Sequence, residues 1–165
     1  EDRGGDMHRE GHTGLTLLIF SLLMIPFGFN SYTVTIVILG AAFSFLPDID
    51  LQLEMAHRKY THNILAALLF GAAFFWIFLI GSDLSLAITA FIGVFGGVIS
   101  HVFGDMLVGR TKSGGPWKLK PLWPFSSKEY GWGFFKSSNK RVNQAFMFLG
   151  IFGLVAFAIL GTGAI

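Results

Sequence analysis

Apolar residues gather into five blocks, 13–29, 32–46, 62–80, 84–108 and 142–160, separated by short or strongly polar stretches. A membrane-spanning helix takes roughly 20 mainly apolar residues, with a range of about 17–25. The last three blocks reach that length as they stand. The first two reach it if helix runs through His8–His12 and Asn30–Ser31. No block alternates polar and apolar positions as a strand of a membrane barrel does. Inside lipid a backbone N–H or C=O finds no water, so a segment must pair its own, as a helix does. The pattern predicts an all-α, polytopic membrane protein of about five transmembrane helices. Residues 28–31 and 81–83 read as tight turns, so the first helix pairs with the second and the third with the fourth. Thr61 or Asn63 is placed to cap the third helix. Gly93, Gly96 and Gly97 either admit a neighbouring helix closely or merely loosen the fourth.

Composition agrees with this pattern. The chain is 53% hydrophobic and 13% charged, with 19 Phe, which excludes disorder and argues against an ordinary soluble domain. Its 165 residues leave room for one domain, and no repeat or compositional break divides them. Cysteine is absent, so disulfides, zinc knuckles and thiol catalysis are excluded. Residues 1–12 are polar and no small-residue cleavage motif follows the first apolar block, so no cleavable signal peptide is read. Met7 is read as the native first residue, with residues 1–6 a remnant ahead of it.

Charge placement orients the bundle. Five spans put the N-terminus, residues 47–61 and residues 109–141 at one end, and the tight turns and C-terminus at the other. All 12 Lys and Arg fall at the first end: Arg3, Arg9, Arg58, Lys59 and the remainder between Arg110 and Arg141. The positive-inside rule makes that end cytoplasmic and the C-terminus external, in a cell (inner) membrane. Residues 109–141 are too many for a plain connector. Within them, 116–125 interleave aromatic, basic and proline residues. They read either as an interfacial segment, with Trp at headgroup level and Lys toward anionic lipid, or as a lid over a site for an acidic substrate.

The same end holds all 5 histidines, His8, His12, His57, His62 and His101, together with Asp48, Asp50 and Asp105. His101 and Asp105, four apart, share a helix face, and His8 and His12 repeat that spacing. Asp48 and Asp50 flank Ile49 just past the second helix, and His62 opens the third. Taken singly these are interfacial polar residues, a hydrogen-bonded His101–Asp105 pair, and turn or capping carboxylates after Pro47. Together they bring imidazole and carboxylate from four helix ends to one level, as metal sites in helix bundles do. Two neighbouring carboxylates repel unless a cation lies between them.

Glu10-Gly11-His12, Leu46-Pro47-Asp48-Ile49-Asp50, His57-Arg58 with Thr61-His62, Ser100-His101 with Asp105, and Leu122-Trp123-Pro124 resemble, in order, the membrane-bound metal-dependent hydrolase family. That family is also described as LexA-binding, inner-membrane-associated hydrolases. The resemblance implies His12, Asp48, Asp50, His57, His62, His101 and Asp105 as metal ligands and leaves His8 out. Two departures bear on the substrate: Val108 stands where the family has Thr, and a basic stretch, 110–120, replaces a short Gly turn. LexA binding is not carried over.

Seven nitrogen and oxygen candidates exceed the three protein ligands of a typical catalytic zinc and suit two divalent transition ions, zinc, manganese or iron. Arg58 is the candidate phosphate clamp, or one more topology charge. Glu54 is a candidate general base, as is Asp50 if it is not a ligand. The expected function is hydrolysis of a lipid-borne phosphoester or ester at the cytoplasmic leaflet. The alternative is a non-catalytic metal-binding membrane protein, a regulator, scaffold or transport component. No charge lies midway through the first three helices, and the fifth carries none after Arg141, which argues against an ion path. An intramembrane metalloprotease ranks third, since His-Glu-x-x-His is absent. Membrane lipid is the expected partner and substrate source, with no nucleic acid. The oligomeric state is left open.

Overall fold

The structure is a computed structural model that describes residues 7–49, 60–110 and 115–163. Among the described residues run five long helices: α1 (Arg9–Met24), α2 (Ser31–Phe43), α3 (Ile64–Gly81), α4 (Leu84–Val108) and α5 (Lys140–Gly161). Single 3-10 turns, Ile25–Phe27 and Leu46–Asp48, extend α1 and α2. With those turns included, 5 helices among the described residues are long and apolar enough to cross a membrane. The chain is a multi-pass membrane protein. Among the described residues there is no strand, only two isolated bridges, Arg110 with Pro116 and Leu119 with Tyr130.

Local chemistry explains the boundaries. Four helices open on a side chain that accepts from the first turn: Asn30, Asn63, Asp83 and Asn139. At α2 the cap is reciprocal, because Thr33 Oγ1 also accepts from the Asn30 N–H at 3.1 Å. Asn63, rather than Thr61, caps α3, accepting from Ala66 N at 2.9 Å. The helix α1 reaches back to Arg9, so His12 lies in its first turn and the first block gains the length it needs. Pro47 stops α2, since proline has no N–H to donate to the helix and its ring clashes with the carbonyl one turn back.

α4 is the central helix, packed against α1, α2 and α3. The expected pairs α1–α2 and α3–α4 both form, but the most extensive contact joins α1 to α5, from opposite ends of the chain. Glycine permits the closest crossings. A Cβ on Gly97 would overlap the Gly40 carbonyl of α2, and one on Gly150 would overlap the Gly14 carbonyl of α1. The outward faces are apolar; Ile80 is 86% exposed and Phe148 and Phe152 are 72% exposed, as lipid-facing side chains are. At one end the 28–30 turn meets the C-terminal end of α5, with Phe29 N donating to Gly161 O at 2.8 Å. The other end gathers Met7, residues 46–48, residues 60–63 and the long segment 115–139.

That segment is fastened to the helix ends. The N–H groups of Trp132 and Phe134 donate at 2.8 Å to the carbonyls of Met106 and Leu107, which α4 itself leaves unpaired. Trp117 N donates to Gly109 O, and Ile64 N at the start of α3 donates to Pro121 O. The segment therefore ties the end of α4 to the start of α3.

Candidate metal centre

Each described candidate ligand reaches the site for a local reason. On α4, the four-residue spacing turns His101 and Asp105 to one buried face. His12 comes from the first turn of α1, and its ring stacks on His101 with centroids 3.7 Å apart. Gly104 makes room for it, since a Cβ there would come within 3.2 Å of His12 Nδ1. Asp48 sits in the 3-10 turn that Pro47 imposes, and His62 lies just before the cap of α3. His12, His62 and His101 are fully buried, and the Asp105 side chain is 3% exposed; Asp48, at 12%, is the most open of the five.

Four donor atoms converge. His62 Nε2 and His101 Nε2 are 3.1 Å apart. Asp48 Oδ1 lies 3.6 Å from the first and 3.4 Å from the second, and Asp105 Oδ2 lies 3.5 Å from both. The other oxygen of the same carboxylate, Asp105 Oδ1, is 3.4 Å from His12 Nε2. Asp105 thus faces two groups of imidazole nitrogens at once.

The outer hydrogen bonds aim these atoms inward. His101 Nδ1 is 2.7 Å from the Ser44 carbonyl oxygen. A carbonyl only accepts, so Nδ1 carries a proton; deprotonated at Nε2, as a metal ligand is, the ring would direct that lone pair into the cluster. His62 Nδ1 is 2.9 Å from Thr61 Oγ1, a hydroxyl able to accept in the same manner. Support of this kind, from a carbonyl or hydroxyl behind the ring, is what orients metal-binding imidazoles.

The donor set fits a cation. Ligands about 2.0–2.2 Å from a zinc-sized ion lie about 3.0–3.5 Å from one another in four- to six-coordinate arrangements. Five of the six separations among the four converging atoms fall between 3.1 and 3.6 Å. Direct charged hydrogen bonds are shorter, about 2.7–2.9 Å. Among the described residues Asp48 Oδ1, Asp105 Oδ2 and both ring nitrogens of His12 have no hydrogen-bond partner. A buried carboxylate oxygen without a hydrogen bond is costly. The two overlapping trios His12–Asp48–His101 and His62–His101–Asp105 could each hold a metal ion.

Over residues 7–164 the sequence matches the profile of the YdjM inner membrane protein family. The chain belongs to that family. No curated protein matches it, and no solved structure does. The YdjM family name gives a membrane location and no reaction, so the chemistry has to come from the site.

In this YdjM-family chain, five of the seven candidate ligands that the resemblance implies, His12, Asp48, His62, His101 and Asp105, meet in one cluster. Asp50 and His57, with Arg58 and Glu54, lie outside the described residues. His8 stays apart, half-exposed and 3.6 Å from Glu10. Sequence reading missed Ser44, whose contribution is a backbone carbonyl that no side-chain pattern reveals. It also missed Asn143, buried in the first turn of α5. The Asn143 carbonyl accepts from His8 N at 3.0 Å and its amide donates to the carbonyls of Ser137 and Asn139 at 2.8 and 2.9 Å. The signal for Asn143 was present: a polar residue on the α5 face that carries Gly150, seven positions on.

Proposed function

We propose that this protein is a metal-dependent hydrolase of the inner membrane, acting on a lipid-borne phosphoester or ester at the cytoplasmic leaflet. The observation that supports this most is the convergence of His62, His101, Asp48 and Asp105 at ligand-like spacing, with both carboxylate oxygens otherwise unpaired. His62, His101, Asp48 and Asp105 would hold one divalent transition ion, and His12 with the second oxygen of Asp105 would contribute to a second. When bound, such ions polarise an ester or phosphoryl oxygen and supply a water acidic enough to attack near neutral pH. The Ser44 carbonyl and the Thr61 hydroxyl keep the imidazoles oriented. The buried faces of α1 and α4 exclude bulk water, leaving the Asp48 side as the approach for substrate. Arg58 is assigned the phosphate clamp and Glu54 or Asp50 the general base on sequence grounds alone. The clustering of Lys and Arg at the site end supports a cytoplasmic orientation.

A second reading, a non-catalytic metal-binding membrane protein, draws on the depth of the same site. Structural metal sites are closed by four protein ligands, whereas catalytic ones keep a position open. One experiment separates the two readings. Purified protein should carry at least one transition metal per chain by elemental analysis. Asp48→Ala, His101→Ala and Asp105→Ala should lose it, and His8→Ala should not. The metal-loaded protein should then release product from members of a phospholipid panel, and a chelator should abolish the release. Metal without turnover on any lipid favours the binder; wild-type metal content in all three ligand variants removes both readings.

A further inference from the structure

The segment 115–139 is left without a role by the metal centre, and its surface is unusual for a loop held in place by so many backbone hydrogen bonds. Its apolar side chains point outward: Phe125 is 77% exposed, Phe134 61%, Trp132 49% and Phe135 47%. Leu119 alone among its large apolar residues is buried, at 2%. Between the aromatics stand exposed cations, Lys118, Lys120, Lys128 and Lys136, continued by Lys140 and Arg141 at the start of α5. The one carboxylate of residues 115–141 is Glu129, which lies 3.6 Å from Lys120. The surface is therefore both apolar and strongly basic.

Its position is set by the helix ends. The ring of Trp132 meets that of Phe103 edge-on, with centroids 5.9 Å apart. Phe103 is 39% exposed on the outward, lipid-facing side of the spanning helix α4, one turn before its last residues. Trp132 thus lies where the apolar flank of the bundle gives way to its polar end. Tryptophan and tyrosine settle at that depth in bilayers, and nearby lysines reach anionic headgroups. Scattered exposed apolar residues are ordinary, but Trp132, Phe134 and Phe135 stand nearly consecutively in the chain, all exposed, and call for a covering surface.

We propose that residues 115–139, with Lys140 and Arg141, form a collar that lies in the headgroup layer and binds anionic phospholipid. Its aromatic side chains insert beside α4 and its lysines pair with lipid phosphates. This does not depend on the hydrolase reading, because the collar would bind lipid whether or not the metal centre turns it over. The pinning of Trp132 and Phe134 to the α4 carbonyls makes the collar rigid, so that it holds the site end of the bundle at a constant depth.

The chain has no cysteine, so single cysteines report cleanly. Phe125→Cys and Phe134→Cys, each carrying an environment-sensitive dye, are reconstituted into phosphatidylcholine vesicles. The vesicles contain a fixed fraction of lipid brominated in the upper acyl chain, either phosphatidylglycerol or phosphatidylcholine. Quenching by brominated phosphatidylglycerol should exceed quenching by brominated phosphatidylcholine several-fold. High salt should remove the excess, and so should the combined variant Lys120→Gln, Lys128→Gln, Lys136→Gln, with the dye still partly quenched by both lipids. Equal quenching by the two lipids at low salt overturns the anionic preference. Absence of quenching by either, with full access of acrylamide to the dye, puts the segment in water and overturns the collar, leaving its aromatic face for a soluble protein partner.

Discussion

Because α2 ends before Pro47, the Ser44 carbonyl is free of helix bonds and accepts from His101 Nδ1 instead. One proline therefore shapes the site twice, by placing Asp48 in a tight turn and by leaving an acceptor that selects the His101 tautomer. His62 relies on a side chain for the corresponding support, the hydroxyl of Thr61 at 2.9 Å. That dependence is testable without touching a ligand. Thr61→Val keeps the shape and removes the hydroxyl, and loss of such support typically weakens metal affinity about 10–100-fold. A chelator-competition titration should show that loss, and Thr61→Ser should restore most of the affinity. Wild-type affinity in Thr61→Val would mean that the hydroxyl does not orient the ring.

At the scale of elements, the site depends on how closely the helices cross. Gly97 lies one turn before His101 on α4, with the Gly40 carbonyl of α2 where a Cβ would go. Gly97→Ala has to push α2 and α4 apart, and overpacking of this kind costs about 1–3 kcal/mol. Thermal unfolding in detergent should fall accordingly. Metal content should fall with it although every candidate ligand is intact, because Asp48 follows α2 and His101 rides on α4. Retained metal at a lowered unfolding temperature would show that the cluster tolerates the displacement. Asn143 joins the other pair of helices: it connects the residue before α1 to the turn before α5. Asn143→Ala strands the His8 N–H and the Ser137 carbonyl, and an unsatisfied buried polar group costs about 1–3 kcal/mol. The same unfolding measurement should register that loss, with metal content less affected than in Gly97→Ala.

For the molecule as a whole, the proposed orientation makes a simple demand. Cysteine in place of Ser82, in the turn between α3 and α4, should react with an impermeant reagent applied outside intact cells. Cysteine in place of Ser127, exposed in the collar, should react only after the membrane is opened. The reverse pattern would put the metal centre on the external face and exclude a cytoplasmic substrate. Much of this architecture was legible in the chain itself. Five apolar blocks, three of them of spanning length as they stand, the choice of Thr61 or Asn63 as a cap, and a one-sided distribution of Lys and Arg are local or additive properties, so they survive without any knowledge of contacts. The four-residue spacing of His101 and Asp105 likewise put both on one helix face. Contacts between distant segments were another matter. Nothing in the order of the blocks says that α1 packs chiefly on α5, since that choice rests on the matching of Gly14 with Gly150. Nor does sequence say which oxygen of Asp105 faces His12 and which faces His62 and His101. Those assignments follow from how α1, α2, α3 and α4 meet at one end, and only packing in three dimensions brings a proline-ended helix, a stacked imidazole and a carboxylate whose two oxygens face different imidazoles within a few ångströms of each other.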